Sequence, residues 1–228
     1  MSIASKKHSF IELFKRDRYL FLLISLVLLL LVTPLFEGFF ELTTLLDISI
    51  TIIFFASLYA IGQSRKGLRI AIGLLVPVLL AMWLTYFVHV TYLSLVGDCC
   101  LILFFAFTII IILSRLFKEE EVTLDVIYSA FVSFMLIALM WAFIFDILEG
   151  LSPGSFLVTQ GQFEDSRIHF IYYSFVTITT VGFGDILPVS MTARAFSIVE
   201  MVVGQIFLIV LIARLVGINI TQSMEKKP

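Results

Sequence analysis

Residues 177–185 read Thr-Ile-Thr-Thr-Val-Gly-Phe-Gly-Asp, a string whose chemistry lies in its main chain more than in its side chains. A dehydrated cation about the size of potassium needs stacked rings of oxygen in place of its water shell. Four copies of a Thr-Val-Gly-Phe-Gly strand around one axis can supply such rings from backbone carbonyls. A strand with every carbonyl turned to one side needs dihedrals that a Cβ disfavours, and Gly182 and Gly184 fall where that freedom is wanted. A lone Gly-x-Gly says little. This one lies between two apolar segments of membrane length.

To hold the string at membrane depth the chain must surround it with helices, and its composition matches that demand. Of 228 residues, 61% are hydrophobic and 14% charged, and the mean hydropathy is +1.11. No soluble domain of this size needs so much apolar material. A helix crossing the ~30 Å hydrocarbon core takes roughly 20 apolar residues. Residues 19–36, 42–61, 68–89, 95–116, 122–148 and 191–218 meet that test, which predicts six transmembrane helices in an all-α membrane protein. Residues 168–179 are too short to span and lead straight into the Gly-rich string, so they are expected to form a re-entrant helix and filter strand. The run 19–36 is too long for the apolar part of a secretory signal. The following Thr33-Pro34-Leu35-Phe36-Glu37 offers no small-x-small cleavage site, so the run is expected to stay as a resident helix.

Charge sets the expected orientation. Lys6, Lys7, Lys15, Arg16 and Arg18 precede the first segment, and Arg65, Lys66 and Arg69 lie between the second and third. Arg115 and Lys118 follow the fourth, while Arg214, Lys226 and Lys227 close the chain. The other side carries only Arg167 and Arg194, against Glu37, Glu41, Asp47, Asp98, Glu149, Glu164 and Asp165. By the positive-inside rule both termini are cytoplasmic in a multi-pass cell-membrane protein, and the Gly-rich string opens outward.

Two halves are expected: a four-helix transmembrane domain over 1–118 and a second domain over 119–228, joined at the charge cluster Lys118-Glu119-Glu120-Glu121. Leu151-Ser152-Pro153-Gly154-Ser155 reads as a turn, with a polar outer loop continuing to Ser166. The 14 residues after Arg214 are too few for a folded cytoplasmic domain.

With these motifs assembled, residues 122–220 resemble the pore domain of tetrameric potassium channels, and the whole chain is similar to the small prokaryotic six-helix members. The resemblance implies a homotetramer with four filters around one axis. Each subunit would contribute the carbonyls of Thr180, Val181, Gly182 and Phe183 and the Thr180 hydroxyl, with Gly184 and Asp185 closing the outer mouth. Many members of the family carry Tyr at the position of Phe183, and its hydroxyl bonds to the re-entrant helix. Phe183 cannot donate that bond, although Gly-Phe-Gly occurs in other potassium-selective members. Tyr172 and Tyr173 occupy the positions of an aromatic pair that braces the strand and reaches Asp185. Interfacial anchoring is the alternative reading of both. Gly204 lies where the family places its inner-helix hinge, and it equally suits close helix packing. The expected permeant ion is K+, the expected surroundings are lipid, and no cofactor, resident metal or nucleic acid is called for.

Helical spacing assigns faces to the last segment. Gln205, Leu208, Ile212 and Val216 recur every three to four residues and would line an inner cavity, with Ile212 and Val216 as hydrophobic constrictions that gate by dewetting. Glu200 is read as the one acidic side chain well inside a span. At 100° per residue it sits about 140° from Gln205 and about 40° from Gly204, so it is expected to face the re-entrant helix and accept a hydroxyl such as that of Thr177.

Other chemistries fit poorly. A voltage sensor needs several basic residues every third position in the fourth helix, because each charge gains only ~2.3 kcal/mol per 100 mV. Residues 101–113 contain none, so the first four helices match a sensor in number alone and voltage gating is not expected. A weakly selective monovalent cation channel is the nearest alternative. A potassium-uptake transporter subunit would build its pore from repeats within one chain, whereas the filter string occurs here once. An enzyme would need a catalytic constellation. His8, His89 and His169 are isolated, and Cys99 and Cys100 are adjacent with no other cysteine to pair with.

Overall fold

A computed structural model describes residues 18–35, 42–62, 65–84, 91–159 and 166–225. The chain is mostly helical: α1 (Arg18–Leu35), α2 (Leu42–Ile61), α3 (Arg65–Leu84), α4 (Thr91–Leu116), α5 (Leu124–Leu151), a short α6 (Ser166–Ile178) and a long α7 (Met191–Glu225). The apolar runs drive these helices. In lipid each backbone N–H and C=O must be satisfied within its own segment, and a helix does so. Among the described residues, α2 to α5 and α7 contain stretches long and apolar enough to cross a membrane, whereas the apolar stretch of α1, Arg18–Leu31, is shorter. The protein is therefore a multi-pass membrane protein.

Local chemistry shifts the ends of several helices from their expected positions. α5 starts at Leu124 rather than residue 122, because Thr123 is extended (φ −105°, ψ 166°) and its Oγ1 accepts the Val126 N–H at 3.4 Å. α7 continues past the apolar limit at 218 to Glu225, since backbone hydrogen bonding does not stop where side chains turn polar. α3 begins three residues early, at Arg65. His8, His89, Lys6, Lys7, Lys15, Arg16, Glu37, Glu41, Glu164, Asp165, Lys226 and Lys227 lie outside the described residues.

One element departs from the all-α expectation. Phe156–Val158 (β1) pairs antiparallel with Ile186–Pro188 (β2), in the register Phe156 with Pro188, Leu157 with Leu187 and Val158 with Ile186. The stretch expected to be a polar outer loop thus carries a strand, and Phe156 is only 4% exposed. Its ring meets Phe145, Phe170 and Tyr173 edge-on at centroid distances of 5.5, 4.9 and 5.3 Å. Three-residue strands are too short to announce themselves by alternation.

A continuous hydrophobic core runs from Tyr19 to Ala193 and crosses the boundary expected at residues 118 and 119. At its centre, Phe54 of α2, Phe104 and Phe105 of α4 and Phe143 of α5 interlock, with Phe54 and Phe104 edge-on at 5.1 Å. α1 packs on α2 and α5, α4 on α3 and α5, and α6 sits against α5 and α7. α7 is the least covered of the long helices. Its apolar stretch is 11% buried within the chain, against 56% for α5.

Candidate functional site

The Gly-rich string follows the C-terminal end of α6, and hydrogen bonds to that end orient it. The Thr180 N–H donates to Thr177 O at 2.9 Å, and the Val181 and Gly182 N–H groups donate to Val176 O at 3.0 and 3.4 Å. No described peptide bond is cis, so each N–H that points back at α6 sends the preceding carbonyl the other way. The carbonyls of Thr179, Thr180 and Val181 therefore face away from the helix in one direction. The backbone alternates to achieve this: Thr180 (φ 60°), Gly182 (φ 57°) and Gly184 (φ 80°) are left-handed, while Val181 and Phe183 between them are not. Ordinary extended dihedrals would point successive carbonyls to opposite sides, and every second residue in the left-handed region turns them to one. Thr180 adopts this conformation despite its branched Cβ, a strained state that persists only where surrounding structure enforces it. A Cβ on Gly182 or Gly184 would meet nothing within 4 Å, so the demand at both is conformational.

Side chains pin the far end of the string, at Asp185, from two sides. The Tyr172 hydroxyl on α6 donates to Asp185 Oδ2 at 2.7 Å, and Asp185 Oδ1 accepts the Ile186 N–H at 3.1 Å. The hydrogen bond to Asp185, followed by burial and the Asp185 charge, pushes the Tyr172 phenol up to about 12, so it remains a donor. From the other side, the Thr159 N–H and hydroxyl both donate to Asp185 O, at 2.8 and 3.1 Å. The β1–β2 pairing continues this clamp, and the Glu149 carboxylate shapes its turn by accepting the Gly154 and Phe156 N–H groups at 2.6 and 3.1 Å. Phe183 stacks on Tyr172 with ring centroids 6.5 Å apart and planes 7° from parallel. The ring thus takes by stacking a position for which it has no hydroxyl. In the single chain Val181 and Phe183 remain 55% and 70% exposed.

The two tyrosines part company. Tyr173 is buried and its hydroxyl lies 2.7 Å from Ser197 Oγ on α7, so it ties α6 to α7 rather than bonding to Asp185. Thr177 is buried and serves through its carbonyl. Glu200 is fully buried and faces α6, but its partner is Ser174 rather than Thr177. Ser174 Oγ also lies 2.6 Å from Ala138 O. A hydroxyl has one proton to give, so satisfying both contacts requires a donor on the Glu200 side. Glu200 Oε2 is buried with no hydrogen-bond partner among the described residues.

Gly204 is a point of close approach. A Cβ there would lie 2.6 Å from both Ile178 Cγ1 and Ile178 O, at the last residue of α6, and α7 runs unbroken through the position. Gln205, Leu208, Ile212 and Val216 are exposed on α7, whereas Leu211 and Leu215 pack against Leu116, Val126 and Ala130. His169 is half-buried on α6.

Sequence reasoning missed Ser174, Ser197 and Thr159, small hydroxyl residues whose roles depend on partners distant in sequence. It also passed over Asp146, half-buried near the end of an apolar run, where an acidic residue is itself a signal. Together with Asp47 and Asp98 it shows that Glu200 is not alone among acidic groups held in the spans.

Residues 131–220 match the family model described as an ion channel. The match begins within α5, ends within α7, and contains the whole string and both strands of the clamp. No curated protein and no solved structure matches the chain. Passive ion conduction is the activity this segment supports.

Proposed function

We propose that four copies of this chain form a potassium-selective channel that conducts K+ passively across the cell membrane. Residues 119–228 make the pore, and six helices cross with both termini cytoplasmic. The observation that carries this reading is the alternation of left-handed residues at Thr180, Gly182 and Gly184, with N–H groups tied back to α6. That backbone offers stacked carbonyl oxygens on one side, the chemistry that substitutes for a hydration shell. One strand provides a single edge of such a cage, so the reading needs symmetry-related copies. The open face of α7 and the exposed Val181 and Phe183 supply surface for them. α6 directs the partly negative end of its dipole toward the ion path, and Gln205, Leu208, Ile212 and Val216 line the inner cavity.

The first four helices, residues 1–118, act without sensing voltage. Arg115, the basic residue in the last turn of α4, is bound by backbone, donating to Ala60 O and Ile61 O at 3.0 and 2.9 Å. A shallow conductance–voltage relation is expected, and a steep one would refute this part.

The test is reconstitution into liposomes, with K+ and Na+ efflux compared and the mass of the detergent-extracted particle measured. Downhill K+ flux without a coupling ion, from a tetramer, is the expected result. Equal Na+ flux would leave a weakly selective cation channel, and a monomeric conducting particle would overturn the reading.

A further inference from the structure

Arg167, in the first turn of α6, distributes its guanidinium among three helices. Nη1 lies 3.5 Å from Asp47 Oδ1 on α2, Nη2 lies 3.4 Å from Asp98 Oδ1 on α4, and Nε lies 3.4 Å from Asp146 Oδ2 on α5. Each of the three nitrogens takes a different carboxylate, an arrangement that suits a planar fork and not the point charge of a lysine. The carboxylates are largely withdrawn from solvent, where ion pairs are screened least. They also gather at the N-terminal end of α6, which favours negative charge.

A second, independent set of bonds makes this junction more than a local contact. At the opposite end of the same helices, Arg115 of α4 donates to the last carbonyls of α2, and the fully buried Phe54, Phe104 and Phe105 fill the space between the ends. α2 and α4 are therefore pinned to each other at both ends, and α6 is fastened to that pair through Arg167. The 13 residues of α6 finish two residues before Thr180. A displacement of the α2–α4 pair at its outer end thus reaches the carbonyl string through one rigid helix.

We infer that Arg167 is the positioning residue through which α2 and α4 hold the carbonyl string, placing the control of the first four helices over conduction at the outer end of the molecule. The inference rests on the proposed channel function for its meaning, while the mechanical tie can be measured apart from it.

The measurement is amide hydrogen exchange over residues 166–185 in the purified full chain, together with K+ efflux from liposomes. Asp47→Asn with Asp98→Asn cuts the tie to α2 and α4 and leaves Asp146. Exchange in α6 and in the string is expected to rise by about tenfold, and K+ efflux to fall by at least about threefold. Arg167→Lys is expected to reproduce that change, and adding the two Asn substitutions to it should move exchange by less than about twofold further, since the groups act as one unit. Should the double Asn variant fail to fold, Asp98→Asn alone, keeping two of three carboxylates, is expected to raise exchange by about threefold. Exchange unchanged in either variant, or fully additive effects of Arg167→Lys and the Asn pair, would overturn the proposal. Raised exchange in a protein whose parent passes no K+ would sink the channel reading and leave the tie standing.

Discussion

Gly204→Ala distinguishes a contact from a hinge, because the structure states what the new methyl meets. It would lie 2.6 Å from Ile178 Cγ1 and from Ile178 O, and a backbone oxygen at the end of α6 cannot swing aside as a side-chain tip can. Overpacking of this kind costs about 1–3 kcal/mol per chain. Against it stands the higher helix propensity of alanine, worth about 1 kcal/mol. Gly73, exposed within α3, meets nothing within 4 Å and supplies the comparison. There only the propensity gain operates. At about 2–4 °C per kcal/mol for a chain of this size, Gly73→Ala is expected to raise the melting temperature of the detergent-solubilised protein slightly. Gly204→Ala is expected to lower it by several degrees relative to Gly73→Ala. The strain at Gly204 falls on Ile178, two residues before Thr180, so K+ over Na+ discrimination in liposome efflux should weaken in parallel. Equal melting temperatures for the two variants, with altered opening in Gly204→Ala alone, would refute the contact argument and favour bending at this glycine.

Substitutions at three further positions follow from the same geometry. Gly182→Ala places a Cβ in the left-handed region at φ 57°, at about 1–2 kcal/mol per chain, and should abolish discrimination between K+ and Na+ in efflux assays; unchanged selectivity would count against the carbonyl alignment. Tyr172→Phe removes the 2.7 Å bond to the Asp185 carboxylate while keeping the stack on Phe183, a hydrogen bond worth about 1.5–3 kcal/mol; K+ flux is expected to decay during sustained conduction, and steady flux would refute the bracing role. The sign of its pH dependence follows from the raised phenol: the stabilisation is complete below about pH 10 and is lost as pH climbs toward about 12, so parent and Tyr172→Phe melting curves should converge only in strong alkali. Glu200→Gln retains a donor toward Ser174 and should melt near the parent, whereas Glu200→Ala leaves a buried cavity beside Ser174 and should lose roughly 1–3 kcal/mol; comparable losses in both variants would refute the donor requirement.

How much of this was legible beforehand depended on the range of each interaction. The apolar runs produce α2 to α5 and α7 almost where hydropathy puts them, because the rule that backbone groups be satisfied within a segment acts locally. The string at 177–185 announces its dihedrals through Gly182 and Gly184, although the left-handed Thr180 has no such marker and is held by its neighbours. Helical periodicity correctly turned Glu200 toward α6 but could not select Ser174 over Thr177, since one turn of a facing helix decides that choice. The strand at Phe156 and the Thr159 bonds to Asp185 were invisible: 26 residues separate donor and acceptor, and three residues carry no period.

The most instructive case is Arg167, which counted beforehand only as a basic residue on the less basic side. Its meaning depends on Asp47, Asp98 and Asp146, each on a different helix and as many as 120 residues away in the chain. Charge tallies sum such residues when they should be matched, and an arginine among several distant acids in otherwise apolar helices is better read as a junction than as a surplus. Burial supplies the reason. A carboxylate leaves water only where a partner waits for it, so acidic residues near the ends of apolar runs point to an unseen cation, and the first turn of α6 was the place to look.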